Sequence, residues 1–135
     1  MRATTRQFAL FVVNGGMIGL MCWALQLAFF HGLGRNGALA YWVSALAASA
    51  IGIAVNYRIQ RRFIFARHGN FWAFAAAATL MSVSVSFAAV AAREWLATFA
   101  AEATATRLGY VVGALGLAPV SFALKKLVIF RGSPT

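Results

Sequence analysis

Four stretches of this chain contain no Lys, Arg, Asp or Glu: Phe8–Phe30, Leu39–Val55, Phe71–Ala92 and Leu108–Leu124. At about 1.5 Å rise per residue, each is long enough for a helix to cross the roughly 30 Å hydrocarbon layer of a bilayer. Ala, Gly and Leu dominate them. Inside hydrocarbon no water is present to bond backbone N–H and C=O groups, so an isolated spanning segment must be helical. The expectation is an all-α polytopic membrane protein, a single domain of residues 1–135 with spans over about 8–30, 39–56, 71–92 and 108–124. The first stretch is too long for the h-region of a cleaved signal, and no small-x-small site precedes His31-Gly32.

Composition agrees. Twelve Lys+Arg against two Asp+Glu give a formal charge of +10, a balance that in a soluble chain would suggest nucleic acid. Yet 62% of the chain is hydrophobic and 10% charged, with a mean hydropathy of +0.78. Soluble domains average about 45–50% apolar and about 25% charged. A soluble enzyme, a nucleic-acid-binding module and a disordered basic tail are thereby excluded. Cys22 is the sole cysteine, so neither an intrachain disulfide nor a thiolate metal cluster is available, and it reads as a small buried apolar side chain.

The positive charges are unevenly placed. Arg2, Arg6, Arg58, Arg61, Arg62, Arg67, Lys125, Lys126 and Arg131 fall on one side of the four spans. Arg35, Arg93 and Arg107 fall on the other, with both acids, Glu94 and Glu102. Nine against three predicts both termini and the central loop in the cytoplasm, N-in and C-in. Tyr41, Trp42, Trp95 and Tyr110 would then line the outer interface and Tyr57, Phe63, Phe65 and Trp72 the inner one, with Trp23 the exception inside a span. Between Arg93 and Arg107, Trp95, Phe99 and Ala103 recur at helical spacing, predicting a short interfacial helix or an extension of the third span.

An internal repeat is visible. Tyr57-Arg58-Ile59-Gln60-Arg61-Arg62-Phe63-Ile64-Phe65 and Phe122-Ala123-Leu124-Lys125-Lys126-Leu127-Val128-Ile129-Phe130 superimpose at an offset of 65. Aromatic is set against aromatic and Ile-Phe against Ile-Phe, with Arg61-Arg62 expected to match Lys125-Lys126. Two helices per unit return the chain to its starting side, so the repeats would be parallel.

The charge-free stretches hold no carboxylate of the kind that proton-coupled exporters use. The histidines, His31 and His68, are placed in loops, and no catalytic set, metal cluster or cofactor site can be assembled. The chain is expected not to be an enzyme. Smaller polar and small residues share helix faces: Gly15, Gly19, Cys22 and Gln26 with Asn14 beside them; Ser49, Gly52 and Asn56; Ala75, Thr79, Ser82 and Ser86; Gly109, Gly113 and Gly116 above Ser121. Such faces serve close helix packing, or a narrow polar groove along Asn14, Gln26, Ser49, Asn56, Thr79, Ser82, Ser86 and Ser121 that sugar hydroxyls would follow. Asn56 ends its span at phosphate depth, as a helix cap or as a ligand to phosphate or sugar. Arg58, Arg61, Arg62, Lys125 and Lys126 are topology determinants drawn to anionic lipid, or a basic shelf for a phosphate if the repeats pack side by side. Arginine's planar fork ranks Arg58 and Arg62 first.

From about Arg6 to Arg131 the chain resembles the GtrA-like family of small four-helix bacterial membrane proteins. Gln7-Phe8 with Asn14-Gly15-Gly16, the stretch from Asn56-Tyr57-Arg58 to Arg62-Phe63-Ile64-Phe65, and its echo ending Lys126-Leu127-Val128-Ile129-Phe130 carry the resemblance. The family's inner-loop motif, Asn then basic residues then aromatic-x-Phe, is matched by Asn56, Arg62, Phe63 and Phe65. Its second copy often begins with Asn, where this chain has Ser121. The resemblance implies translocation of a polyprenyl-phosphate-linked monosaccharide, such as undecaprenyl-phosphate glucose, across the bacterial inner (cytoplasmic) membrane for cell-surface polysaccharide synthesis. Alternatively it implies an adaptor that recruits a membrane glycosyltransferase. Expected partners are the polyprenyl-phosphate sugar lipid, membrane glycosyltransferases and anionic lipids, with no nucleic acid. Because four short helices enclose only a thin core, a homodimer through exposed Gly faces would add contacts.

Overall fold

The computed structural model describes residues 2–34 and 37–134. Arg35, counted above among the outer charges, lies outside the described residues, as do the side chains of Arg2 and Arg107. Four helices are long and apolar enough to cross a membrane, over Thr4–Gly32, Ala38–Ile64, Phe71–Ala97 and Leu108–Ile129. The chain is a multi-pass, all-helical protein. It divides into two compact units, one running to Ala66 and the other Arg67–Pro134.

In the first unit, α1 (Arg2–Gly32) and α2 (Gly37–Ile59) form a hairpin, and a π-helical turn follows at Gln60–Ile64. Gly34, at φ 81°, ends α1 in a left-handed conformation that glycine adopts without steric cost. The helices meet at Gly52, where a Cβ would collide with Cys22 Sγ, and that thiol donates to Ala48 O at 3.6 Å. Near the hairpin bend Phe30 packs edge-on against Tyr41, with ring centroids 5.8 Å apart.

In the second unit, α3 (Phe71–Ala97) and α4 (Glu102–Leu124) form the hairpin, and its π-helical turn is Lys125–Ile129. Asn70 caps α3, its side-chain oxygen accepting from Ala73 N at 3.0 Å. At Gly113 a Cβ would stand 2.6 Å from Ala89 N, so the backbones touch because no side chain separates them. Pro119 lies inside α4, where it lacks the N–H that would have bonded Leu115 O. The last residues fold back on the unit's first ones. His68 N donates to Ser133 O and Gly132 N to His68 O, both at 3.1 Å, and Arg67 bridges Pro134.

Several expectations are corrected. The helices run past the charge-free stretches, because end-turn arginines and lysines reach toward polar surroundings while their backbones stay helical. Arg93 and Glu94 thus sit in the last turns of α3, and Lys125 falls inside the fourth membrane-length segment. Of the two alternatives for the Arg93–Arg107 segment, the extension of the third span is the one observed: α3 continues to Ala97, and residues 98–101 form a turn, which Thr98 holds by bonding Trp95 O at 2.7 Å. His31 belongs to the last turn of α1, its Nδ1 2.6 Å from Leu27 O, and not to a loop. The two π turns begin 65 residues apart, which sets Gln60 against Lys125 and Arg61 against Lys126. The expected match of basic pair to basic pair is displaced by one residue.

Candidate functional site

A π turn is closed by hydrogen bonds from residue i+5, which places an extra residue in the helical turn; such turns are rare and concentrate at functional sites. Here Phe65 N returns to Gln60 O at 2.8 Å, and Phe130 N returns to Lys125 O at 2.9 Å. Each closing Phe is buried and packs on a ring from the first helix of its own unit. Phe11 meets Phe65 at 6.4 Å and Phe74 meets Phe130 at 6.0 Å. Gly69 is required beside Phe130, whose ring would lie 2.7 Å from an added Cβ.

The two turns bury different chemistry at their first residue. Gln60 is 1% exposed. Its Nε2 donates to Asn56 Oδ1 at 2.7 Å, and the same oxygen accepts from Asn14 Nδ2 at 2.7 Å. A polar ladder thus climbs from the π turn to α2 and across to α1. Its lower end is incomplete, since Gln60 Oε1 is buried with no hydrogen-bond partner among the described residues. In the second unit Lys125 is 5% exposed, with its Nζ 4.9 Å from the centroid of the Phe74 ring. A buried ammonium over an aromatic face is partly stabilised by the ring quadrupole. Lys126 is half-buried, its Nζ 5.5 Å from the Phe122 centroid.

The outward face of the first turn is basic. Arg58, Ile59, Arg61, Arg62, Phe63 and Ala66 line an open depression of about 700 Å³. Arg58 and Arg62 are exposed, Arg61 is half-buried, and the Arg62 guanidinium carbon lies 5.5 Å from the Phe63 centroid. No Asp or Glu occurs before Glu94, so the first unit contributes no carboxylate to this depression. Three guanidinium groups at one concave surface suit an anion with several acceptor oxygens. The structure therefore brings Arg58, Arg61 and Arg62 together, whereas Lys125 and Lys126 belong to the other unit and pack against its aromatic rings.

The remaining groove residues divide. Asn14 and Asn56 are joined, Ser121 is buried and Gln26 half-buried, while Ser49 is exposed. Thr79, Ser82 and Ser86 are exposed and donate to their own helix, to Ala75 O, Ala78 O and Ser82 O at 2.9–3.0 Å. Such back-bonding satisfies each hydroxyl without a partner on another helix. Sequence reasoning passed over Gln60; the signal for it was its spacing of four from Asn56, which puts both amides on one helix face. Among the described residues, no three of His, Cys, Asp and Glu cluster as metal ligands would. Comparison of the chain with protein-family models, with curated proteins and with solved structures finds no match.

Proposed function

We propose that the protein carries a polyprenyl-phosphate-linked monosaccharide across the bacterial inner membrane, from the cytoplasmic to the periplasmic leaflet, for cell-surface polysaccharide synthesis. The reading puts both termini and the arginine turn in the cytoplasm, as the nine-to-three division of positive charge favours. It takes the two helix pairs as parallel copies of one ancestral hairpin. Their matched π turns, each closed by a buried Phe packed on an aromatic residue of its own unit's first helix, support that origin.

The observation that carries the proposal is the depression lined by Arg58, Arg61 and Arg62, on the turn from which the Gln60–Asn56–Asn14 ladder rises. The lipid phosphate rests on the arginines, which lie at headgroup depth, and the polyprenyl tail stays in lipid. The sugar follows polar and small side chains through the apolar layer. The resemblance of these residues to the GtrA-like motif supports the same ligand class. With both acids confined to the far ends of α3 and α4, no carboxylate at mid-membrane depth is available to couple transport to protons. Transfer is therefore facilitative, drawn by consumption of the lipid on the far side. No covalent step is assigned to the protein.

The test is reconstitution of the purified chain into liposomes holding undecaprenyl-phosphate glucose, with transfer between leaflets compared with protein-free vesicles. Transfer that needs the protein and is insensitive to an imposed pH gradient supports the proposal. No transfer, with capture of a polyprenyl-phosphate glycosyltransferase by the same protein, would make it an adaptor instead.

A further inference from the structure

The polar ladder has a chemical bias. Asn56 Oδ1 is already the acceptor for two donors, Asn14 Nδ2 and Gln60 Nε2. What remains is Gln60 Oε1, an acceptor without a donor, on a residue 1% exposed and four positions below Asn56. A buried acceptor left unmet is costly, and native proteins rarely keep one without a reason. The missing group must donate a hydrogen bond. A phosphate oxygen without a proton does not, and an ammonium would meet the repulsion of Arg58, Arg61 and Arg62 on the same turn. A neutral hydroxyl satisfies both conditions.

We propose that Gln60 Oε1 accepts a hydrogen bond from a hydroxyl of the ligand's sugar, making Gln60 the residue that distinguishes a glycosylated lipid phosphate from a bare one. This inference rests on the function proposed above. The arginines bind what both lipids share, and Gln60 binds what only one has. The bond to Asn56 takes up the Gln60 amide nitrogen and leaves its oxygen for the ligand.

Binding to the full chain in nanodiscs separates the two claims, with undecaprenyl phosphate and undecaprenyl-phosphate glucose as the probes. Wild type binds both, the glucosylated lipid more tightly. Gln60→Leu lowers affinity for the glucosylated lipid about 5–10-fold, the magnitude of one neutral hydrogen bond, and leaves undecaprenyl phosphate unchanged. Arg62→Gln weakens both. Unchanged binding of both lipids in Gln60→Leu overturns the assignment, the result if a buried water fills the site. Equal loss for both lipids in Gln60→Leu and in the similar-sized Gln60→Met overturns it as well, since Gln60 would then be structural. Wild-type protein that binds neither lipid overturns the translocation reading itself, and with it this one.

Discussion

Asn14 Nδ2 donates to Asn56 Oδ1 at 2.7 Å, joining α1 to α2 across 42 residues of sequence. Interhelical hydrogen bonds in membrane proteins contribute only about 0.6–2 kcal/mol, because the dissociated helices find other partners. The two asparagines are not equivalent. Asn14→Ala removes one donor, whereas Asn56→Ala strips the acceptor from both Asn14 and Gln60. Asn56→Ala should cost about twice as much, roughly 2 kcal/mol against 1. Unfolding in mixed detergent micelles checks the ranking, and a larger loss for Asn14→Ala would contradict it.

Ala66 is the non-glycine residue with positive φ among those described, at 50°, and it ends the first unit. A left-handed alanine costs about 1–2 kcal/mol in backbone sterics. Glycine removes that cost but adds back about 0.4–1 kcal/mol of unfolded-chain entropy. Ala66→Gly should therefore stabilise by about 0.5 kcal/mol, the difference of those two. Ala66→Val, adding β-branching at the same φ, should destabilise by about 1 kcal/mol or more. Thermal unfolding of the two variants in one detergent gives the sign of each.

Gly113 and Gly116 lie less than one helical turn apart and face different surroundings. A Cβ at Gly113 would reach Ala89 N at 2.6 Å, while nothing lies within 4 Å of one at Gly116. Gly113→Ala should force α3 and α4 apart and cost about 1–3 kcal/mol, as overpacking does. Gly116→Ala should be neutral or slightly stabilising from helix propensity. Equal effects on melting temperature would contradict the α3–α4 contact.

Arg93 Nη2 meets Glu102 Oε1 at 2.8 Å across the α3–α4 turn, but the side chains are 44% and 80% exposed. Exposed pairs of this kind contribute about 0.2–1 kcal/mol and are screened by salt. Glu102→Gln should shift stability within that range at low ionic strength, and the shift should vanish at about 1 M salt. A larger, salt-independent loss would contradict a stabilisation by an exposed ion pair.

The spans were legible because a bilayer imposes a requirement that composition can show: about 20 residues without charge. Their ends were not, since Arg93, Glu94 and Lys125 extend helices whose backbone bonding does not stop where charge begins. Spacing assigned Thr79, Ser82 and Ser86 to one face, but spacing does not say what a hydroxyl bonds, and these turn back to their own helix. The π turns were hidden for a similar reason. Gln60–Ile64 and Lys125–Ile129 share Ile at their ends and a basic residue at the second position, and no side-chain pattern announces an extra residue per turn. Of the candidate site, Arg58, Arg61, Arg62, Asn14 and Asn56 were readable as residue types. Their division into a basic outer face and a polar inner ladder required the fold.

If the three arginines hold the phosphate of the transported lipid, transfer depends on them. The rate of undecaprenyl-phosphate glucose transfer in liposomes by protein carrying Arg58→Gln, Arg61→Gln and Arg62→Gln together measures that dependence. The variant should insert with the four-helix content of wild type, and its transfer should fall to the protein-free rate. Transfer at the wild-type rate would contradict the claim and remove the arginine turn from the mechanism.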